Sequence, residues 1–152
     1  MSLFEVLLFV HILAAMIWIG GALVGALIGV FIRRQGDAEA MSKFCIAFAS
    51  VAGPAFGGSS LLVVGTGIWM VAESSIEFSA LWVSLSLAGW LVSMVMGATV
   101  VGGTWFKVGK LLQEPGATLD AIAPTIDKAV RLTWIDLAIR IGVVLLMVWQ
   151  PT

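Results

Sequence analysis

Residues Leu3 to Ile32 read LFEVLLFVHILAAMIWIGGALVGALIGVFI, uncharged from Val6 until Arg33 and Arg34 end the run. About thirty helical residues cover about 45 Å at ~1.5 Å rise per residue, more than the ~30 Å hydrocarbon core of a bilayer. The stretch therefore predicts a transmembrane helix that tilts or protrudes. It carries His11, the chain's one histidine, and an ionisable side chain at that depth is a candidate functional residue by its position alone.

A heptad walk from His11 passes through Ala14, Trp18, Gly21, Gly25, Ile28 and Ile32, flanked by Ala15, Ala22 and Gly29. The histidine thus shares a face with nearly all the small residues of this helix, and that face is expected to point into a bundle. Gly21, Gly25 and Gly29 form a GxxxGxxxG run, the pattern that lets a neighbouring helix approach closely where lipid gives no hydrophobic drive for association. Close packing is one reading of that run. Room for a flat ligand beside His11 is the other.

Composition sets the class. In 152 residues, 61% are hydrophobic and 11% charged, with a mean hydropathy of +1.10, against an apolar share of ~45–50% in soluble domains. This is the composition of a polytopic membrane protein. The amino terminus has neither the basic start nor the small-residue cleavage site of a secretory signal, so the first segment is expected to stay as a span. Cys45 is the one cysteine, which excludes an internal disulfide or a CxxC site. A net charge of -1 without a basic face argues against nucleic acid as a partner.

The rest of the chain divides into three further spans. Gly36 breaks the first helix and Asp37 is placed to cap the second. The apolar part of the second runs over residues 44–72, where Pro54 predicts a kink and Gly57, Gly58, Ser59 and Ser60 follow. After an acidic turn at Glu73 and Glu77 comes a span over 78–106, with Gly89, Ser93 and Gly97 as its own small-residue face. Pro115 and Gly116 break the longest polar connection, Pro124 suits the first turn of a helix, and the last span covers 128–150. The prediction is an all-α, four-helix transmembrane bundle forming a single domain over residues 1–152.

Charge sets the expected orientation. Arg33, Arg34 and Lys43 surround the first connection, Lys107, Lys110, Lys128 and Arg131 the third, and the second carries only Glu73 and Glu77. The positive-inside rule puts the first and third connections in the cytoplasm and both termini outside, in the inner (plasma) membrane. Trp69, Trp82 and Trp149 then fall near the outer interface, and Trp105 and Trp134 near the inner one. Trp18 and Trp90 are left at mid-depth, as core packing or as the wall of a ligand slot.

The last span holds Asp136 and Arg140 at i,i+4, the favourable order of acid before base. An unpaired charge at bilayer depth costs at least ~2.5–3.5 kcal/mol, so the two are expected to neutralise each other and face the bundle or a wet cavity. They read as a structural clasp, as a proton-transfer pair, or, for Arg140, as a partner for an anionic ligand group such as a haem propionate. Counted from the outer helix ends, His11 and Arg140 lie at similar depths, and antiparallel first and fourth helices are expected to bring them together. Ser59, Ser60, Ser84, Ser86 and Ser93 are available as hydroxyl donors.

A neutral imidazole suits haem b, with His11 as axial ligand, Trp18 nearby and a methionine as an available second ligand. Bis-histidine ligation within one chain is excluded by the single histidine. The same imidazole with thioethers suits copper(I). A structural or accessory subunit, in which His11 only hydrogen-bonds across the bundle, needs no cofactor at all. The small-residue faces suit homo-oligomers or a larger membrane complex.

The segment FVHILAAMIWIGGAL resembles the first helix of several four-helix-core membrane families. It is similar to the copper-resistance protein D family, to HemJ-type protoporphyrinogen oxidases and, over the whole chain, to an uncharacterised family of small predicted integral membrane proteins. His11 matches the first-helix histidine with which HemJ-type enzymes bind haem, and Trp18 and Gly21 match the residues after it. A second histidine of those enzymes is replaced here by Arg33 and Arg34, and no lysine lies between Lys43 and Lys107 where theirs is essential. The resemblance implies haem binding through His11 without protoporphyrinogen oxidation.

Overall fold

The computed structural model describes residues 2–151, which form four long helices: α1 (Leu3–Gln35), α2 (Ala38–Ala72), α3 (Leu81–Leu111) and α4 (Ala123–Trp149). All four are long and apolar enough to cross a membrane. No strand occurs among the described residues. Their ends follow local sequence chemistry. Ser2 and Glu5 make a reciprocal capping box, the Ser2 backbone N–H donating to Glu5 Oε2 at 2.8 Å. Gly36 closes α1 at φ 74, and Asp37 Oδ1 accepts from the Ala40 N–H at 2.8 Å to start α2. Pro124 stands in the first turn of α4, where its missing N–H has no carbonyl to leave unpaired.

Two helices carry a π-helical turn. In α2 it spans Gly53–Gly57 and takes up Pro54, so the irregularity expected there is a widened turn within a continuous helix. The other, Met96–Val101 in α3, contains no proline. It lies against the charged pair of α4: a Cβ on Gly97 would sit 3.2 Å from the Arg140 guanidinium and 3.6 Å from Asp136 Oδ2.

Side-chain packing explains most of the glycines on the small-residue faces. The groove along Gly21, Gly25 and Gly29 of α1 is filled by aromatic rings. A Cβ on Gly21 would lie 2.2 Å from the Phe56 ring, and one on Gly25 2.2 Å from Phe48, while Gly29 faces Trp105 and Phe44. Phe44 and Phe48 stack with centroids 5.2 Å apart, and Phe56 lies 5.6 Å beyond Phe48. That corrects the idea of a flat ligand in this groove, because phenyl groups of α2 already occupy it. Replacing Gly25 by Val is expected to cost about 1–3 kcal/mol or more through overpacking, read as a lower unfolding midpoint in detergent. The same change at Gly20, which has open space around it, serves as the control.

The buried face of α1 comprises Leu7, His11, Ala14, Trp18, Gly25, Ala26 and Gly29. Ile28, expected on that stripe, is 41% exposed. A straight α-helix drifts by ~20° per heptad, so a stripe drawn at strict heptad spacing leaves the buried face within a few turns. On α3 the small face serves α4: Val143 packs at Gly89, and Ser93 and Gly97 meet Asp136 and Arg140. Around the first and third connections a core of Met41, Cys45, Trp105, Val108, Ile126 and Ala129 closes the bundle. Arg33, at the end of α1, forms an ion pair with Asp127 at the start of α4. Phe9, Met16, Val148 and many other large apolar side chains are exposed, as expected of a surface solvated by hydrocarbon.

Candidate functional site

The end of the bundle that holds both termini is built differently from the other. There α1 packs along the second half of α2, and the first half of α3 packs along α4, while these two pairs touch each other sparsely. Between them lies a cavity of about 770 Å³, within the size range of small-molecule and cofactor sites. Its walls are apolar and aromatic, with Trp82, Trp90, Met70 and Met147 among them, and its polar side chains include His11, Ser86 and Gln150. Ile12, Met16, Val144 and Val148 line it and are also exposed on the hydrocarbon-facing surface. Among the described residues no lysine or arginine lines it.

His11 sits in the α1/α2 wall, 9% exposed. Its Nδ1 lies 3.0 Å from Thr66 Oγ1, and the Thr66 hydroxyl is itself 2.6 Å from the Leu62 carbonyl four residues back. A hydroxyl has one proton, and at that distance it goes to the carbonyl. Thr66 Oγ1 is then an acceptor, so Nδ1 of His11 carries the proton and Nε2 keeps its lone pair. That is the tautomer in which histidine binds a metal, oriented by a hydrogen bond at its other nitrogen. Gly67 makes the arrangement fit: a Cβ there would stand 3.3 Å from His11 Cε1. Thr66 was not anticipated from the sequence, though a hydroxyl between two glycines, Gly65 and Gly67, in mid-span was a readable signal.

Asp136 and Arg140 form a separate cluster, 2% and 5% exposed. Arg140 NH2 donates to Asp136 Oδ2 at 2.5 Å, Nε donates to Ser93 Oγ at 3.0 Å, and NH1 donates to the Trp18 carbonyl at 2.6 Å. Ser93 donates in turn to Asp136 Oδ1 at 2.5 Å. The guanidinium stands 4.7 Å from the centre of the Trp18 ring. The pair thus clasps α1, α3 and α4 together, with Trp18 as its third corner.

This geometry corrects the expected meeting of His11 with Arg140. Arg140 reaches α1 at Trp18, about 10 Å along the helix from His11 at ~1.5 Å per residue. The reason lies in side-chain direction. Helical side chains lean towards the amino end of their own helix, so in antiparallel α1 and α4 these two lean apart. Arg140 and Trp18 are also absent from the cavity lining, whereas Trp90 is part of it and is held there by donating Nε1–H to Ser60 Oγ at 2.8 Å. Among the described residues no group of three or more His, Cys, Asp or Glu side chains is placed to hold a metal ion.

The family described as "Predicted integral membrane protein (DUF2269)" matches residues 5–151. The chain belongs to that family. The match takes in α2, α3 and α4 whole, α1 from residue 5, and every lining residue of the cavity except Phe4. No curated protein and no solved structure matches the chain.

Proposed function

We propose that this DUF2269 protein binds haem b in the cavity of the terminal half, with His11 Nε2 as the axial ligand, and serves a redox or haem-related role in the inner membrane. The observation that carries the reading is the Thr66 hydrogen bond, which fixes the proton on Nδ1 and leaves Nε2 free beside an apolar cavity. The residues present fit the group. A neutral imidazole supplies the iron donor, aromatic and aliphatic walls suit a flat macrocycle, and the resemblance of FVHILAAMIWIGGAL to haem-binding first helices agrees. Haem supplies one-electron redox chemistry when bound. Among the described residues no cation lines the cavity and Arg140 is committed to its own cluster, so Gln150 is a lining side chain besides His11 with polar atoms to offer a bound haem. Both termini lie outside the cytoplasm in this reading, which the charge bias of the connections supports.

Copper(I) is the second reading, because Met70 and Met147 line the same cavity as His11. Oxidised and reduced visible spectra with a pyridine haemochromogen assay, beside elemental analysis of the same detergent-purified protein, separate the two. A haem content near one per chain or one per dimer supports haem binding, and copper without haem supports the second reading. Protein that is colourless and metal-free when expressed with haem in supply leaves an accessory subunit, to be recognised by copurification with a larger complex. Thr66→Val is expected to weaken haem binding by about 10–100-fold, the usual loss when a ligating histidine loses its orienting partner. Haem titration of the apoprotein measures it.

A further inference from the structure

The cavity of the terminal half has a side as well as an end. Ile12 and Met16 of α1 and Val144 and Val148 of α4 line it and are also exposed on the hydrocarbon-facing surface. The hydrogen bond from Arg140 to the Trp18 carbonyl fixes the register of these two antiparallel helices. From Trp18, Met16 and Ile12 lie about 3 and 9 Å towards the terminal end, and from Arg140, Val144 and Val148 lie about 6 and 12 Å the same way, at ~1.5 Å per residue. The four side chains thus stand at matching depths. They mark the edges of a slot between α1 and α4 that opens sideways into the bilayer.

Water does not suit the space behind that slot. A buried water needs about 2–4 polar partners, and the walls of Leu8, Val63, Val71, Val83 and Val143 offer none. Polar groups return at the end of the cavity. Trp82, in the first turn of α3, and Gln150, just past α4, both line it there. Trp90, about 12 Å deeper along α3 at ~1.5 Å per residue, spends its indole N–H on Ser60. The Trp82 N–H has no partner among the described residues and is not closed off from the surface.

Charge around this mouth has one sign. Glu77 lies between the lining residues Ile76 and Phe78, Glu5 follows the lining residue Phe4, and Glu73 stands in the same connection as Glu77. All eight lysines and arginines lie elsewhere, in 33–43, 107–131 and at Arg140. A headgroup of net negative charge is disfavoured beside these carboxylates, and an ammonium is favoured.

We propose that the cavity takes an acyl chain of a phospholipid with an amine-bearing headgroup. The chain enters sideways between α1 and α4, its ester carbonyls accept from the Trp82 N–H, and its ammonium lies towards Glu77. The inference draws on the slot and the mouth and does not rest on the haem reading. A haem that reached His11 would displace the chain, so the test uses the full chain prepared without haem.

Tryptophan quenching is measured in vesicles of phosphatidylethanolamine and phosphatidylglycerol, with the chains of one lipid or the other brominated. The Trp90 signal is the difference between wild type and Trp90→Phe. It is expected to be quenched several-fold more by brominated phosphatidylethanolamine than by brominated phosphatidylglycerol at equal mole fraction. Glu77→Gln is expected to narrow that difference. Gly20→Leu is expected to abolish the quenching, because Gly20 lines the cavity and a Cβ there meets nothing within 4 Å, so the larger side chain fills the space. Lipid analysis of detergent-purified wild type needs no substitution, and a phospholipid content near one per chain, enriched in ethanolamine headgroups over the source membrane, is expected. A Trp90 signal that neither brominated lipid changes overturns the proposal. Equal quenching by the two lipids, or purified protein that retains no phospholipid, overturns it as well.

Discussion

On the proposed haem reading, His11→Gly is expected to yield a colourless protein, and added imidazole is expected to return the Soret band. The chain has no second histidine to take over, so on that reading the iron would lose its one histidine donor. Loss of an orienting second partner alone costs about 10–100-fold in metal affinity, and loss of the ligand must exceed that. The rescue follows from the shape of the site. His11 fits because Gly67 has no side chain to meet its ring and because Thr66 accepts its Nδ1 proton. Removing the ring leaves a hole bounded by both, with the Thr66 acceptor still in place for a free imidazole. Recovery also shows that the variant is folded, which a plain loss of colour does not. A His11→Gly protein with the spectrum and haem content of the wild type would show that the ligand lies elsewhere, and Met70 and Met147 would be the next to test.

How much of this was readable in advance differs between fold and site. The first three helices follow from uncharged runs longer than a bilayer is thick and the fourth from an apolar run interrupted by Asp136 and Arg140, and their limits from local residues such as Gly36, Asp37 and Pro124. The small face of α3 was readable too, because Gly89, Ser93 and Gly97 recur at helical spacing and α4 does sit on them. What fills a groove is a different matter. Gly21 and Gly25 announce a depression on α1, but only the α1/α2 register decides that Phe56 and Phe48 occupy it. Register likewise decides that Arg140 meets Trp18 and leaves His11 alone. The π turn at Met96–Val101 carries no proline to mark it and appears where α3 passes the buried charges. His11 stood out as a lone ionisable group at depth. Thr66 did not, despite its place between two glycines, because a hydroxyl in a span is usually satisfied by its own helix and its reach to a second helix depends on register.

The buried charges give the second large effect. Arg140→Met or Asp136→Leu, each alone, is expected to destabilise the bundle by about 3–5 kcal/mol, because each leaves one charge uncompensated among residues 5% exposed or less. The consequences are not symmetrical. Without Arg140, the Trp18 carbonyl loses a donor at 2.6 Å and Asp136 keeps only Ser93; without Asp136, the guanidinium keeps Ser93 and Trp18. Arg140→Met is therefore the more harmful of the two. The double variant is expected to recover much of the loss, since replacing both members of a buried pair by apolar side chains of similar volume is often close to neutral. Thermal unfolding of all four proteins in one detergent forms the cycle, and the coupling between the two sites is the difference between the double variant and the sum of the singles. Two single variants as stable as the wild type would mean that the pair does not hold α1, α3 and α4 together. Its oxygens and guanidinium would then be available for the other role open to a buried acid beside a base, the movement of a proton.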